Sequence, residues 1–250
     1  MIEMSTILYT LGASILILTT SFVGVIFAWR GLRSFFEFNL PYLVSFSAGV
    51  FIMVVFSLIE ETSKLTNDSL LLIAVITLGA LLVHSISILF PGSHHHEDPR
   101  CEHEHTEVTV RNMFMGDALH SFVDGVLLAP AFLISPLLGI STTIGILFHE
   151  LVQELSEFFI YKKSHFSTKK ALTWCLYSSI TILPGSLIGL YVSKTKLFII
   201  PLLGIAIGSF LYIIFTDLIP DSYRQAKTRS KYILHVLSGL IGVIIMLFIL

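Results

Sequence analysis

The sequence has few charged residues and few cysteines, and each shortage excludes a class of protein. Only 13% of the 250 residues are charged, whereas a soluble globular domain carries roughly 25%. A mean hydropathy of +0.86 and a hydrophobic content of 54% leave no length for a separate soluble domain. A net charge of −2 without a basic stripe gives no indication of nucleic-acid binding. Two cysteines, Cys101 and Cys175, are too few for a disulfide framework.

Long apolar runs occupy most of the chain. A helix needs about 20 apolar residues to cross the hydrocarbon core of a bilayer. Eight segments are long enough, and we predict an all-α polytopic membrane protein with a single transmembrane domain over residues 1–250. The predicted spans are Ser5–Trp29, Leu40–Glu60, Ser69–Phe90, Met113–Ser135, Gly139–Tyr161, Ala171–Val192, Leu197–Pro220 and Lys231–Leu250.

Basic residues are distributed unevenly between the two sides of these spans. Twelve of the 15 lysines and arginines follow odd-numbered spans, and only Lys64, Lys194 and Lys196 lie on the other side. Positive loops face the cytoplasm, so the pattern predicts that both termini are extracytoplasmic. It leaves open whether the membrane is the plasma membrane or that of an organelle.

Spans two and seven share a short pattern. Gly49–Ser57 and Gly208–Thr216 have glycine and two phenylalanines in the same register. The two spans cross the membrane in opposite directions, which predicts an inverted repeat of helices 1–3 and 6–8 around helices 4 and 5. Transporters often place their substrate site at such a repeat interface.

Spans four and five carry polar residues where hydrocarbon disfavours them. Ionisable groups inside a membrane cost a few kcal/mol each and usually mark a functional site. Residues four apart share a helix face, so His120 pairs with Asp124, His149 with Gln153, and Glu150 with Glu154. Imidazole and carboxylate are ligands for divalent transition metals. The predicted metal residues are His120, Ser121, Asp124, His149, Glu150, Gln153, Glu154 and, from span seven, Asp217.

The segment 91–112 is predicted to be a cytoplasmic loop rich in histidine. Such tracts bind metals loosely and do not pack a core. Here they would capture or sense an imported ion, although a disordered polar linker is the alternative. The candidate loop ligands are His94, His95, His96, Cys101, His103 and His105.

These motifs resemble those of the ZIP family of divalent-metal transporters. The family's fourth span typically has His-Asn-x-x-Asp/Glu-Gly, and residues 120–125 are His-Ser-Phe-Val-Asp-Gly. Its fifth span often has His-Glu-Ile-Pro-His-Glu-Leu-Gly-Asp-Phe. Residues 149–158 are His-Glu-Leu-Val-Gln-Glu-Leu-Ser-Glu-Phe, with Gln153 in place of the second His and Val152 in place of the proline. The resemblance implies eight spans and a metal site that includes His120, Asp124, His149, Glu150 and Gln153.

The resemblance also implies a function, which is transport of a divalent metal into the cytoplasm between helices 4 and 5. Zinc is the expected substrate, with iron, manganese and cadmium as further candidates, and no resident cofactor is expected. Family members can hold two adjacent ions, but Ser121 and Gln153 are poorer ligands than the residues they replace. The sequence leaves a homodimer as one candidate assembly.

Two other functions remain open. Intramembrane zinc proteases use His-Glu-x-x-His, and the segment from His149 to Gln153 differs from that motif at its last residue. A cation channel or an exchanger for another ion is the third candidate. We expect a transporter rather than an enzyme.

Overall fold

The structure, a computed structural model, describes residues 2–22, 33–90, 107–226 and 228–250. It has ten α-helices and no β-strand within these ranges. They are α1 (Met4–Leu18), α2 (Arg33–Leu65), α3 (Ser69–Leu89), α4 (Glu107–Ile134), α5 (Pro136–Lys163), α6 (Thr168–Ser179), α7 (Ile182–Val192), α8 (Ile199–Ile213), α9 (Ile219–Gln225) and α10 (Arg229–Ile249).

The helices confirm an all-α protein that crosses the membrane several times. Seven segments in the described ranges are long and apolar enough to span a bilayer, with α6 and α7 forming one and α8 and α9 another. Helix α5 is 28 residues long and is the eighth helix with enough length to cross the membrane. Its composition is less apolar because it carries the polar residues of span five. The inverted repeat stays a prediction.

Burial differs strongly between the helices. In the most apolar 18-residue stretch of α3 and of α10, only 17% of the residues are buried. These two helices therefore present most of their surface to lipid. In α4 the share is 61%, and α5 has an almost continuous buried stretch from His149 to Tyr161 apart from Leu151. The two helices that carry the predicted metal residues are therefore central in the bundle.

The helices form two groups that meet along α4 and α5. Helix α10 packs on α2 and α3 on α8, whereas α1 packs on α4, α5 and α7, and α4 packs on α5 and α7. The groups are joined where α2 packs on α5 and where α4 packs on α8. The contact between α4 and α7 is especially close because glycines lie there. A Cβ on Gly185 would stand 2.1 Å from the backbone oxygen of Phe122.

Two predicted spans are interrupted. Span six breaks between α6 and α7 at Ile180 and Thr181, where the Thr181 hydroxyl donates to the Ala118 carbonyl on α4 at 2.6 Å. Span seven contains a π-helical turn, Ile214–Leu218, just before Pro220. Because proline has no backbone N–H, it cannot donate the helical hydrogen bond at that position.

The predicted loop boundary at residue 112 is wrong. Helix α4 begins at Glu107, so residues 107–112 are helical. The helix begins before the predicted span because Val110 packs inside the protein as Met113 does, and each residue is only 2% exposed. The predicted loop ligands between His94 and His105 lie outside the described residues, as does the end of predicted span one beyond Phe22.

Candidate metal site

Helices α4 and α5 form a tight antiparallel pair. They are joined by Ser135 alone, whose hydroxyl accepts the Leu138 N–H at 3.1 Å and caps α5. His120 and Glu150 each lie 15 residues from Ser135 (135 − 120 and 150 − 135). At about 1.5 Å per residue the two side chains therefore lie at the same depth, about 22 Å from the connection.

Three predicted ligands meet in a compact set, the main site: His120, Asp124 and Glu150. One potential ligand atom from each lies within 4.8 Å of the others. All three side chains are buried, with at most 2% exposed. His120 Nε2 is 3.7 Å from Asp124 Oδ2, as the i, i+4 spacing predicts. One imidazole and two carboxylates are a donor set that suits zinc and related divalent ions.

Two further predicted residues line the main site. The rings of His149 and His120 are 5.2 Å apart between centroids and meet edge to face. On its other side His149 contacts Phe51 of α2, at 5.3 Å between centroids. Ser121 donates a hydrogen bond to Glu150 Oε2 at 3.3 Å. In this geometry Ser121 holds a carboxylate in place.

Gln153 turns away from the main site. Its Nε2 donates to Asp117 Oδ1 on α4. The pairing follows from the helix geometry, since both residues lie 18 positions from Ser135 (135 − 117 and 153 − 135). Glu154, another predicted ligand, accepts a hydrogen bond from Ser179 of α6. The structure thus places Gln153 and Glu154 next to the main site rather than in its compact set.

Asp217 also lies outside the compact set. It occupies the π-helical turn of span seven and is half-buried, and Thr216 Oγ1 donates to its Oδ1 at 3.2 Å. Nearby, Asp221 pairs with Arg224 at 3.7 Å.

The sequence analysis missed Asp117. Its side chain is fully buried, with no exposed surface. The signal was its spacing, since it precedes His120 by three residues and Asp124 by seven and therefore shares their helix face.

In the described part of the chain, the buried carboxylates of α4 and α5 are not paired with lysine or arginine. Among the described residues, no lysine or arginine forms an ion pair with Asp117, Asp124, Glu150, Glu154 or Glu157. Leaving buried carboxylates uncompensated is strongly unfavourable. The site therefore has the charge and the ligand types to accept cations.

Comparison with known proteins identifies the family. The family model of the ZIP zinc transporter matches residues 85–250, which include α4 and α5 and most of the other described helices. The chain belongs to the ZIP zinc transporter family. The resemblance noted in the sequence is thereby confirmed.

Individual ZIP proteins are similar over about half of this chain. The zinc transporter foi of Drosophila melanogaster is 32% identical over 137 residues, or 55% of this chain and 19% of that protein. Human zinc transporter ZIP4 is 32% identical over 130 residues, 51% and 20% of the respective chains. The rat metal cation symporter ZIP8 is 35% identical over 113 residues, 45% and 24%. The matches span only about a fifth to a quarter of the relatives' own length.

Proposed function

We propose that this ZIP protein carries zinc, or a similar divalent metal ion, across the membrane through the main site between α4 and α5. The observation that carries the proposal is the compact set of His120, Asp124 and Glu150 in the most buried pair of helices. Two carboxylates and a neutral imidazole sum to −2, so a divalent ion makes the occupied site neutral. Neutrality matters because net charge is costly in a low-dielectric interior.

The relatives support the same substrate. Foi and ZIP4 are named zinc transporters, and ZIP8 a metal cation symporter. Imidazole in the site favours zinc over magnesium or calcium, and iron, manganese and cadmium remain candidates. The protease alternative has no support, because Gln153 is a poor zinc ligand whose amide is bonded to Asp117.

The basic residues indicate which side of the membrane is cytoplasmic. Lys162 and Lys163 end α5, and Lys169 and Lys170 begin α6, whereas the opposite ends of the helices carry Lys64, Lys194 and Lys196. By the positive-inside rule the first group is cytoplasmic. Both termini are then extracytoplasmic, and the import that the family resemblance implies would move the ion from the side of Ser135 towards the side of Lys163.

Uptake of zinc-65 into proteoliposomes tests the proposal. His120→Ala removes the imidazole, and Glu150→Gln leaves the occupied site with an uncompensated positive charge, so both should largely abolish uptake. The matched control is His84→Ala. His84 lies on the exposed surface of α3, hydrogen-bonded to Tyr212 at 3.0 Å, and its loss should leave uptake unchanged.

Competition by Mn²⁺, Fe²⁺ and Cd²⁺ in the same assay ranks the possible substrates. Wild-type uptake in both site variants, with normal reconstitution, would refute the assignment of the site. Cleavage of a transmembrane peptide without any metal uptake would support the protease alternative instead.

A further inference from the structure

A groove runs along the outside of the bundle between α2, α9 and α10, away from the metal site. Its volume is about 340 Å³. It opens sideways towards the bilayer, because Ile52, Val236 and Leu240 line it and are 43%, 45% and 49% exposed. The residues of the main site do not line it. Lipid is therefore the solvent that this groove meets along most of its length.

The groove is as long as one leaflet of a bilayer is thick. On α10 its lining begins at Tyr232 and ends at Val243, which are 11 residues (243 − 232) and therefore about 16 Å apart along the helix axis. The hydrocarbon core of a bilayer is about 30 Å thick, so one leaflet contributes about 15 Å. A mainly apolar groove of this length fits an acyl chain that enters from one surface of the membrane.

The mouth of the groove has the residues of a membrane–water interface. Tyr223 and Tyr232 line it, both are exposed, and their ring centroids are 6.3 Å apart. Tyrosine is enriched at the level of the lipid head groups. The segment 219–232 has four basic residues and one acid, and two of the basic residues, Arg224 and Lys231, are the sequence neighbours of these tyrosines. The mouth is therefore positively charged.

A buried polar network lies just inside the mouth. Ser45 of α2 is hydrogen-bonded to His235 Nδ1 of α10 at 2.7 Å and donates to Ser222 Oγ of α9 at 2.8 Å. All three residues line the groove, and Ser45 and His235 are only 4% and 5% exposed. His235 follows Tyr232 by three residues, so the network is about 4.5 Å deeper in the membrane. The glycerol and ester oxygens of a phospholipid lie at this depth, between its head group and its chains.

We propose that the groove binds one anionic phospholipid from the leaflet on the basic side of the membrane. Its phosphate would lie near Arg224 and Lys231, its ester oxygens near Ser45 and His235, and one acyl chain along α10. Basic pockets between transmembrane helices bind anionic head groups in this way. A zwitterionic lipid fits the apolar part equally well but gains less at the mouth, because its head group has no net charge. Charge at the mouth therefore selects the lipid, and the groove orients it.

Native mass spectrometry of the purified, full-length protein tests the charge selection. The protein in detergent is titrated with phosphatidylglycerol or with phosphatidylcholine that has the same acyl chains. One phosphatidylglycerol should bind with a Kd lower by about tenfold or more. Combining Arg224→Gln with Lys231→Gln should remove most of this preference. The matched control combines Lys194→Gln with Lys196→Gln at the opposite ends of the helices and should keep the preference.

A second pair of variants tests whether the lipid lies in the groove. Val236→Trp places a large side chain in the space for the acyl chain, so binding of phosphatidylglycerol should weaken about tenfold. Leu234→Trp is the matched control, since Leu234 is exposed on the same helix and does not line the groove. It should leave binding unchanged. If Val236→Trp does not purify as a single species, Leu240→Trp provides the same comparison from one turn deeper.

Three outcomes would overturn the proposal. Equal affinities for the two lipids would show that the basic mouth selects nothing. Undiminished phosphatidylglycerol binding in the tryptophan variant would place the lipid elsewhere on the protein. Glycerol phosphate carries a charged head group without chains and should not compete, so its competition at the same concentration would indicate phosphate binding at the surface alone. Metal ions are left out of these titrations, so failure of the proposed transport function would not change their results.

Discussion

The substitution Gly125→Ala probes how closely the metal-bearing helix must pack on its neighbour. Gly125 follows Asp124 on α4 and faces the backbone of α7. A Cβ at this position would lie 2.2 Å from the Ile182 carbonyl oxygen and 2.9 Å from the Ser186 nitrogen. Ordinary van der Waals contact begins at 3.4 Å, so α4 and α7 would have to separate locally by about 1.2 Å (3.4 − 2.2).

The strain has two consequences. Backbone atoms cannot move aside as a flexible side chain can, so overpacking here should destabilise the protein by about 1–3 kcal/mol. For a chain of this length that corresponds to roughly 2–4 °C in Tm per kcal/mol. The shift also displaces Asp124 and His120 relative to Glu150, because α5 packs on another face of α4. Zinc binding at the main site should weaken, and KM for uptake should rise.

The assay is a thermal unfolding curve in detergent together with zinc-65 uptake in proteoliposomes. Gly12→Ala is the matched control, since Gly12 lies within α1 and a Cβ there would meet nothing within 4 Å. Alanine is the better helix former by up to about 1 kcal/mol, so this control should be neutral or slightly stabilising. A Gly125→Ala protein with the Tm and KM of the Gly12→Ala control would refute the argument from close packing.

Two further predictions concern residues beside the main site. Gln153→Glu replaces the hydrogen-bond donor to Asp117 with a second carboxylate, so the Tm measured in the presence of a chelator should fall. Added zinc should then raise the Tm more than it does in the wild type. Equal Tm values with and without zinc would contradict this prediction. The second prediction concerns the loop, because it lies outside the predicted spans. Zinc flux should persist, with a changed apparent affinity or regulation, when serine replaces five histidines: His94, His95, His96, His103 and His105. Complete loss of uptake in a well-folded variant would show that the loop is part of the pathway.

The features set by the bilayer could be predicted from the sequence. Each span needs about 20 apolar residues, and this requirement located the helices to within several residues. The polar residues of α4 and α5 stood out because they interrupt such spans. Their meeting followed from the short connection at Ser135, which fixes residues equidistant from it at one depth. The set of His120, Asp124 and Glu150 therefore lies where the sequence indicated.

Features set by tertiary packing could not be predicted in this way. Asp117 lies near the start of predicted span four, where the sequence does not show which side chains are buried. It is buried because α4 extends six residues further than predicted and because α5 and α6 cover it. The break between α6 and α7 is likewise stabilised by a hydrogen bond from Thr181 to a carbonyl 63 residues away. Neither contact leaves a periodic signal in the sequence.

Two of the positions that depart from the ZIP motifs, Ser121 and Gln153, help to explain how five buried carboxylates can coexist. Each residue donates a hydrogen bond to a carboxylate, Ser121 to Glu150 and Gln153 to Asp117, without adding charge. Two divalent ions held 4 Å apart would repel by about 16 kcal/mol at an effective dielectric constant of 20, four times the value for unit charges. A charged ligand at residue 153 would offset part of that repulsion, and an amide offsets little. The amide therefore favours one ion in the main site.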